Sequence, residues 1–212
     1  NSTEDAAASD KTENQNPGQM SGGTGGGGPM DESDGSTLEI NGGTITVNAQ
    51  GDGLDSNGDI TMTGGNVTVY GPENSGNGTL DYAGSYTLSG GTLLGVGSSG
   101  MAQTVSEDST QVNLAFYLDE LTTGSKVTIE QNGQTLSTFS PSKQFQQIVF
   151  SSPELTTGEV TITIDGTSYP VTLSATANSL SQDGSAYTAT MTGPGGNKGM
   201  GRPSDVTSND VT

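Results

Sequence analysis

The sequence predicts an all-β chain: a parallel β-solenoid of about three rungs over residues 36–103, then a small antiparallel β module over residues 104–190. Three observations carry this reading. A motif recurs as "INGGTITV" from Ile40, "MTGGNVTV" from Met62 and "LSGGTLLG" from Leu88, at spacings of 22 and 26 residues. Within the copies apolar and polar residues alternate with period two, which is the strand period. Only 28% of the 212 residues are hydrophobic while 34 are glycine, too little for a large conventional core but well suited to sharp corners.

Residues 1–35 are small, acidic and glycine-rich, and lack the apolar surface needed to offset ordering entropy; they read as disordered. Their run "GGTGGGGP" is followed by no G-K-[ST], so it is not a phosphate loop. In the repeat, Ile45 and Val47, then Val67 and Val69, point inward, while Thr44 and Thr46, then Asn66 and Thr68, point outward. Leu54, Ile60, Met62, Leu80 and Leu88 complete the interior. "GDGLD" (51–55) aligns with "GNGTLD" (76–81) once one residue is inserted. The third copy breaks the pattern, because "GTLLGVG" places Leu94 and Val96 outside and Gly95 inside. Apolar residues outward on one rung alone imply a covering surface, here the module that follows.

A solenoid end exposes strand edges and an open core, so a cap is physically required. Strand-like runs "QVNLAFYL", "KVTIEQ", "QQIVFSS", "VTITI" and "YPVTLS" supply one, and "EQNGQT" and "IDGTSY" are two-residue hairpin signals. Phe116, Phe139, Phe145 and Phe150 are expected as its core. Residues 191–212 read as a disordered tail.

Twenty-four acids face five bases, a formal charge of −19. Phosphate binding needs clustered Lys and Arg, so nucleic acid and anionic membrane surfaces are poor partners. Cations, or neutral or metal-bridged ligands, fit better. Cys is absent, which removes disulfides and thiolate metal sites. His is absent too, and with it the usual general base. No apolar run approaches a membrane span, and no signal peptide is visible. Asn1 is expected to follow a processing boundary.

"GDGLDSNGD" (51–59) crowds three aspartates and an asparagine among glycines. Stacking places Asp55 over Asp81 and Asp52 near Asn77, about 4.8 Å apart. In a partly dry groove two carboxylates at that distance repel by about 3–4 kcal/mol. A cation relieves this, and Asn57 and Asp59 add further oxygens. Every ligand in the set Asp52, Asp55, Asn57, Asp59, Asn77 and Asp81 is oxygen, which favours Ca2+. Two calcium patterns match in part. Asp55, Asn57 and Asp59 mimic the start of an EF-hand loop, but Ile60 stands where Gly is needed and Asn66 where Glu belongs. "GDGLD" echoes a nonapeptide calcium repeat that is not iterated here. The alternative is that Asp, Asn and Gly are turn formers in a solvated loop.

The stretch from "INGGTITV" through "GDGLDSNG" and "NGTLDYAG" to "GSSGMAQ", with the later "FSPSKQFQQIVFSSPELTTGEV", resembles a bacterial family of secreted carbohydrate-binding proteins. The resemblance covers roughly residues 36–175. It implies a right-handed parallel β-helix similar to pectate lyases. It also implies calcium binding, a secreted or cell-surface location, and association with plant-wall polysaccharides such as cellulose and polygalacturonate. It further implies upstream rungs that this sequence lacks, with residues 1–35 as a glycine-rich insertion between rungs.

Catalysis lacks parts. Polyuronide lyases on similar solenoids pair calcium with an Arg or Lys base, yet Ser36 to Gln103 contains neither. Asp55 and Asp81 meet the spacing of a retaining glycosidase pair, so hydrolysis stands as an alternative. A bound cation would oppose the raised pKa its acid needs. "SPSK" (140–143) spells S-x-x-K within an all-β stretch and is taken as chance. Tyr70 and Tyr82 are the ring faces available for sugars in the solenoid, while Tyr86 shares the interior phase of Leu88. The sequence thus points to a non-catalytic, calcium-stabilised polysaccharide binder. A structural surface β-helix that binds no glycan is the second class.

Overall fold

The computed structural model describes residues 33–123 and 126–188. The disorder expected at the two ends, apart from residues 33–35, lies outside the described residues. Within them the chain is all-β, with no helix and with both parallel and antiparallel ladders.

The repeat forms β1 (Thr37–Asn48), β2 (Leu54–Ser56), β3 (Asp59–Tyr70), β4 (Leu80–Tyr82), β5 (Tyr86–Leu88) and β6 (Thr92–Gly97). Each copy lies parallel on the one before. Ile45 pairs with Val67 and Val47 with Val69; Val67 then pairs with Leu93 and Val69 with Gly95. Ile60 lies on Tyr86, Met62 on Leu88, and Leu54 on Leu80. Period-two alternation therefore collects the inward side chains into one buried cluster, in which Ile60, Met62, Leu80, Tyr86 and Leu88 are fully covered. Gly43, Gly65 and Gly91 take φ of 82°, 94° and 87°, which is why each copy turns at a glycine pair.

The second half contains β7 (Asn113–Thr122), β8 (Val127–Gln131), β9 (Gln134–Phe139), β10 (Phe145–Ser151), β11 (Gly158–Ile164), β12 (Thr167–Leu173) and β13 (Ala177–Ser181). Both hairpins form where two-residue turns were expected. Asn132 and Gly133 (φ 53° and 75°) join β8 to β9, and Asp165 and Gly166 (φ 48° and 83°) join β11 to β12. Two successive positive φ values give the primed turn that matches strand twist. The strand order β12-β11-β8-β9 makes a four-stranded antiparallel sheet.

The two halves share a larger sheet. Its path runs β1-β3-β6-β10-β7-β13, with β5 on β3. The boundary read at 103/104 is therefore crossed by main-chain hydrogen bonds: β10 pairs antiparallel with β6, setting Phe150 against Leu94 and Ile148 against Val96. Along β10, Ile148 and Phe150 face a second core with Leu94, Val96, Phe116 and Phe145, while Val149 faces the first. Leu94 and Val96 are buried, as their break in the pattern predicts. Phe139 packs at the margin of this core.

One strand departs from the all-antiparallel expectation. β13 runs parallel to β7, pairing Leu180 with Phe116. With β10 on one side of β7, the other edge is what the returning chain can use, and the intervening strands make a crossover long enough for parallel pairing. A second tie links the halves: Lys143 donates from Nζ to the carbonyls of Ala49, Tyr70 and Gly71, and Gln144 N–H donates to Glu73 Oε1 at 2.8 Å.

Candidate functional site

The parallel pairing of β2 and β4 sets Asp55 directly beside Asp81. Around this pair the other expected oxygen ligands make contacts of their own. Asp52, half-buried, accepts the Gly78 N–H at Oδ1 (2.7 Å). Asp59 accepts both the N–H and the O–H of Ser85 at Oδ1, at 2.8 and 3.0 Å. Asn77 donates its Nδ2 to Asn74 Oδ1 (3.0 Å), and its carbonyl accepts the Ser98 hydroxyl. Asn57 is exposed, and its carbonyl receives the Asp34 N–H at 2.9 Å.

Two of the six residues expected as a cation shell also tie the repeat together. Asp52 and Asp59 act as clamps between successive copies of the repeat, because a charged acceptor on a backbone amide makes a strong, directional bond. Among the described residues no three Asp or Glu side chains gather with metal-ligand spacing. Asp55 and Asp81 remain in register, with Asp55 exposed. That exposure lowers the stakes: at a dielectric near that of water their repulsion is about 1 kcal/mol rather than the 3–4 of a dry groove. Repulsion by itself does not demand a cation there.

Tyr70 is half-buried against the second core, so part of its ring goes to packing. Tyr82 sits edge-on to Tyr86, with ring centroids 6.3 Å apart. Its hydroxyl donates to the Thr104 carbonyl, and its N–H to Gln103 Oε1 at 2.7 Å. Burial pushes the Tyr82 phenol above its ordinary pKa, as it does for the fully covered Tyr86. Both rings thus serve the junction between the repeat and the loop after it.

Two polar features escaped the sequence reading. On the outward face of β1, β3 and β5, Glu39 lies beside Thr61 and Thr61 beside Thr87, while Thr63 donates to Asn41 Oδ1 at 2.7 Å. Thr61 and Thr87 alternate with the inward Ile60, Met62 and Leu88, and only the stacking of the copies brings their hydroxyls together, 3.4 Å apart. The second is a stack: Tyr117 and Tyr187 lie 3.6 Å apart and 10° from parallel. Tyr187 lines a cleft of about 280 Å³ with Thr104, Glu107, Asn113 and Ser179. Gln147 Nε2 donates to the Tyr117 hydroxyl at 3.0 Å. No local signal joins residues 117 and 187; only the parallel β13–β7 pairing brings them together.

Comparison with protein-family models, with curated proteins and with solved structures finds no match to this chain.

Proposed function

We propose that this chain is a non-catalytic, extracellular polysaccharide-binding protein built on a right-handed parallel β-helix of about three coils. In this reading the parallel pairs β1–β3–β6 and β2–β4 are the stacked walls of the coils, and β7–β13 cap their C-terminal end. The observation that carries the binding function is the outward ladder of Glu39, Thr61 and Thr87 beside Asn41 and Thr63. Strand stacking repeats these groups every ~4.8 Å along one sheet face, a spacing that suits an ordered polymer better than a small molecule. Hydroxyl and amide groups match neutral sugar hydroxyls, and the acidic balance of the chain disfavours polyanions unless a cation bridges them.

Calcium belongs to the same proposal, narrowed to Asp55 and Asp81, which supply hard oxygen donors on adjacent strands. Hydrolysis by this pair is the poorer reading. The acid of a glycosidase needs shielding to hold its proton, and Asp55 is exposed.

The test is co-sedimentation with microcrystalline cellulose and with insoluble polygalacturonate, in calcium and in chelator. Binding to at least one polymer is expected. Thr63→Glu with Thr87→Glu should abolish it while leaving the melting temperature unchanged, and Tyr187→Ala should leave it intact. No binding of the unaltered protein to either polymer would refute the function, and leave a structural role.

A further inference from the structure

We propose that the corner where the chain leaves β1 and β3 is a binding site for a singly charged cation, and that the Lys143 ammonium is its built-in occupant. The site arises from the stacking of the repeat. The register that sets Asn48 beside Tyr70, and Tyr70 beside Val96, carries on past the strand ends to set Ala49 beside Gly71 and Gly71 beside Gly97. Ala49 N–H donates to the Tyr70 carbonyl at 2.9 Å, and Gly71 N–H to the Val96 carbonyl at 2.7 Å.

There the main-chain donors give out. A residue that donates across a parallel ladder accepts, at its own carbonyl, from the residue two places further along the same neighbour. For the Ala49 carbonyl that donor would be residue 72, and Pro72 has no N–H. For the Gly71 carbonyl it would be Ser98, whose N–H goes to the Pro72 carbonyl instead, at 2.8 Å. Gly71 and Pro72 are buried and Ala49 is half-buried, so both stacked carbonyls need a partner other than bulk water.

Lys143 is that partner. Its Nζ donates to the carbonyls of Ala49, of Gly71 at 3.3 Å and of Tyr70 at 3.4 Å. Three acceptors converge on one nitrogen that carries three donors. All three are neutral main-chain oxygens. Carbonyl dipoles of this kind replace the hydration shell of a singly charged ion, whereas calcium is held by carboxylates as well. The site therefore takes an ammonium-type or alkali cation, which separates it from the Asp55–Asp81 pair on β2 and β4. Charge favours the same occupant: Glu73 Oε1 accepts the N–H of Gln144, the residue after Lys143, at 2.8 Å. The ion comes from within the chain, 94 residues beyond Ala49, as the last residue of the "SPSK" spelling. Being covalently tethered, it closes the contact between the repeat and the segment before β10 in a way that no chelator can undo. This inference rests on the carbonyls alone, independently of the glycan and calcium readings.

The test uses the 212-residue chain in chelator throughout. Lys143→Ala should lower the melting temperature and speed amide exchange at Gln144 about tenfold. Methylammonium chloride should recover about half or more of both losses, because it binds only the folded corner. Tetramethylammonium chloride at the same concentration has equal charge but no N–H, so it should recover neither and corrects for screening. The unaltered protein should not distinguish the two salts. Lys143→Met keeps the length of the side chain and drops the charge, so it should melt below the unaltered protein. Equal melting of Lys143→Met and the unaltered protein overturns the proposal, and this comparison decides alone if Lys143→Ala does not fold. Equal recovery of Lys143→Ala by both salts, or recovery by neither, overturns it as well.

Discussion

Asp52 accepts at Oδ1 a 2.7 Å hydrogen bond from the backbone N–H of Gly78, 26 residues along the chain. Gly78 is buried, so its amide has no recourse to water. Asp52→Ala should therefore cost about 1–3 kcal/mol, the penalty of orphaning a buried donor, equally in calcium and in chelator. Asp55→Asn and Asp81→Asn should act differently. A ligand bound only to the folded state adds about 2.7 kcal/mol at a hundredfold excess over its Kd, and these two changes should shrink that increment. Thermal melts across calcium concentrations measure both. A curve indifferent to calcium in the unaltered protein would remove the metal from the proposal and leave the clamp standing.

Leu94 and Phe150 face each other across the β6–β10 pair, on the side away from the repeat's own core. Leu94→Ala should destabilise by about 2–4 kcal/mol, and adding Val96→Ala should deepen the loss. Because β6 and β10 belong to one hydrogen-bonded sheet, both halves should unfold in a single transition. Tyrosine fluorescence and far-ultraviolet dichroism that melt at separate temperatures would contradict this.

Thr79 is fully buried among glycines. A Cβ at Gly95 would approach its Cγ2 to 2.8 Å, one at Gly71 its Oγ1 to 2.9 Å, and its Oγ1 has no hydrogen-bond partner among the described residues. Thr79→Val keeps the shape and drops the unpartnered hydroxyl, so it should hold or raise stability by about 1 kcal/mol. Thr79→Leu overfills the same nest and should cost about 1–3 kcal/mol. Chemical denaturation of the two variants ranks them; Val falling below the unaltered protein would show that the hydroxyl has a use.

The pH dependence follows from which groups can titrate. Burial raises the phenols of Tyr82, Tyr86 and Tyr117, so the folded state holds these protons more tightly than the unfolded chain. The resulting stability is complete below the unfolded value of about 10 and is lost as pH rises through the higher folded values. At the acid end, hydrogen bonds from Ser36 and Ser185 lower Asp34 and Asp183. Their contribution is present above the ordinary carboxylate value and fades as pH falls through the lower folded ones. With no His or Cys, stability should be nearly flat between about pH 6 and 9. Melts over that range check the plateau, and the share of tyrosinate absorbance that belongs to Tyr82, Tyr86 and Tyr117 should rise only with alkaline unfolding.

By itself the sequence determined everything governed by short-range rules. Period-two alternation named the inward set, glycine pairs at near-regular spacing marked the corners, and Asn132-Gly133 and Asp165-Gly166 marked the hairpins. The parallel register that lays Asp55 on Asp81 follows from the repeat, and the docking of Leu94 and Val96 from their violation of it. Tertiary structure decided what depends on partners distant in the chain. That Asp52 and Asp59 reach an amide turns on the direction in which the N–H of residue 78 or 85 points once the copies stack, and residue type does not encode that. β13 runs parallel to β7 because that edge was left open, and this alone brings Tyr187 onto Tyr117. Local alternation fixes which way a side chain faces; what it meets there is set by chain closure over tens of residues, where no spacing rule reaches.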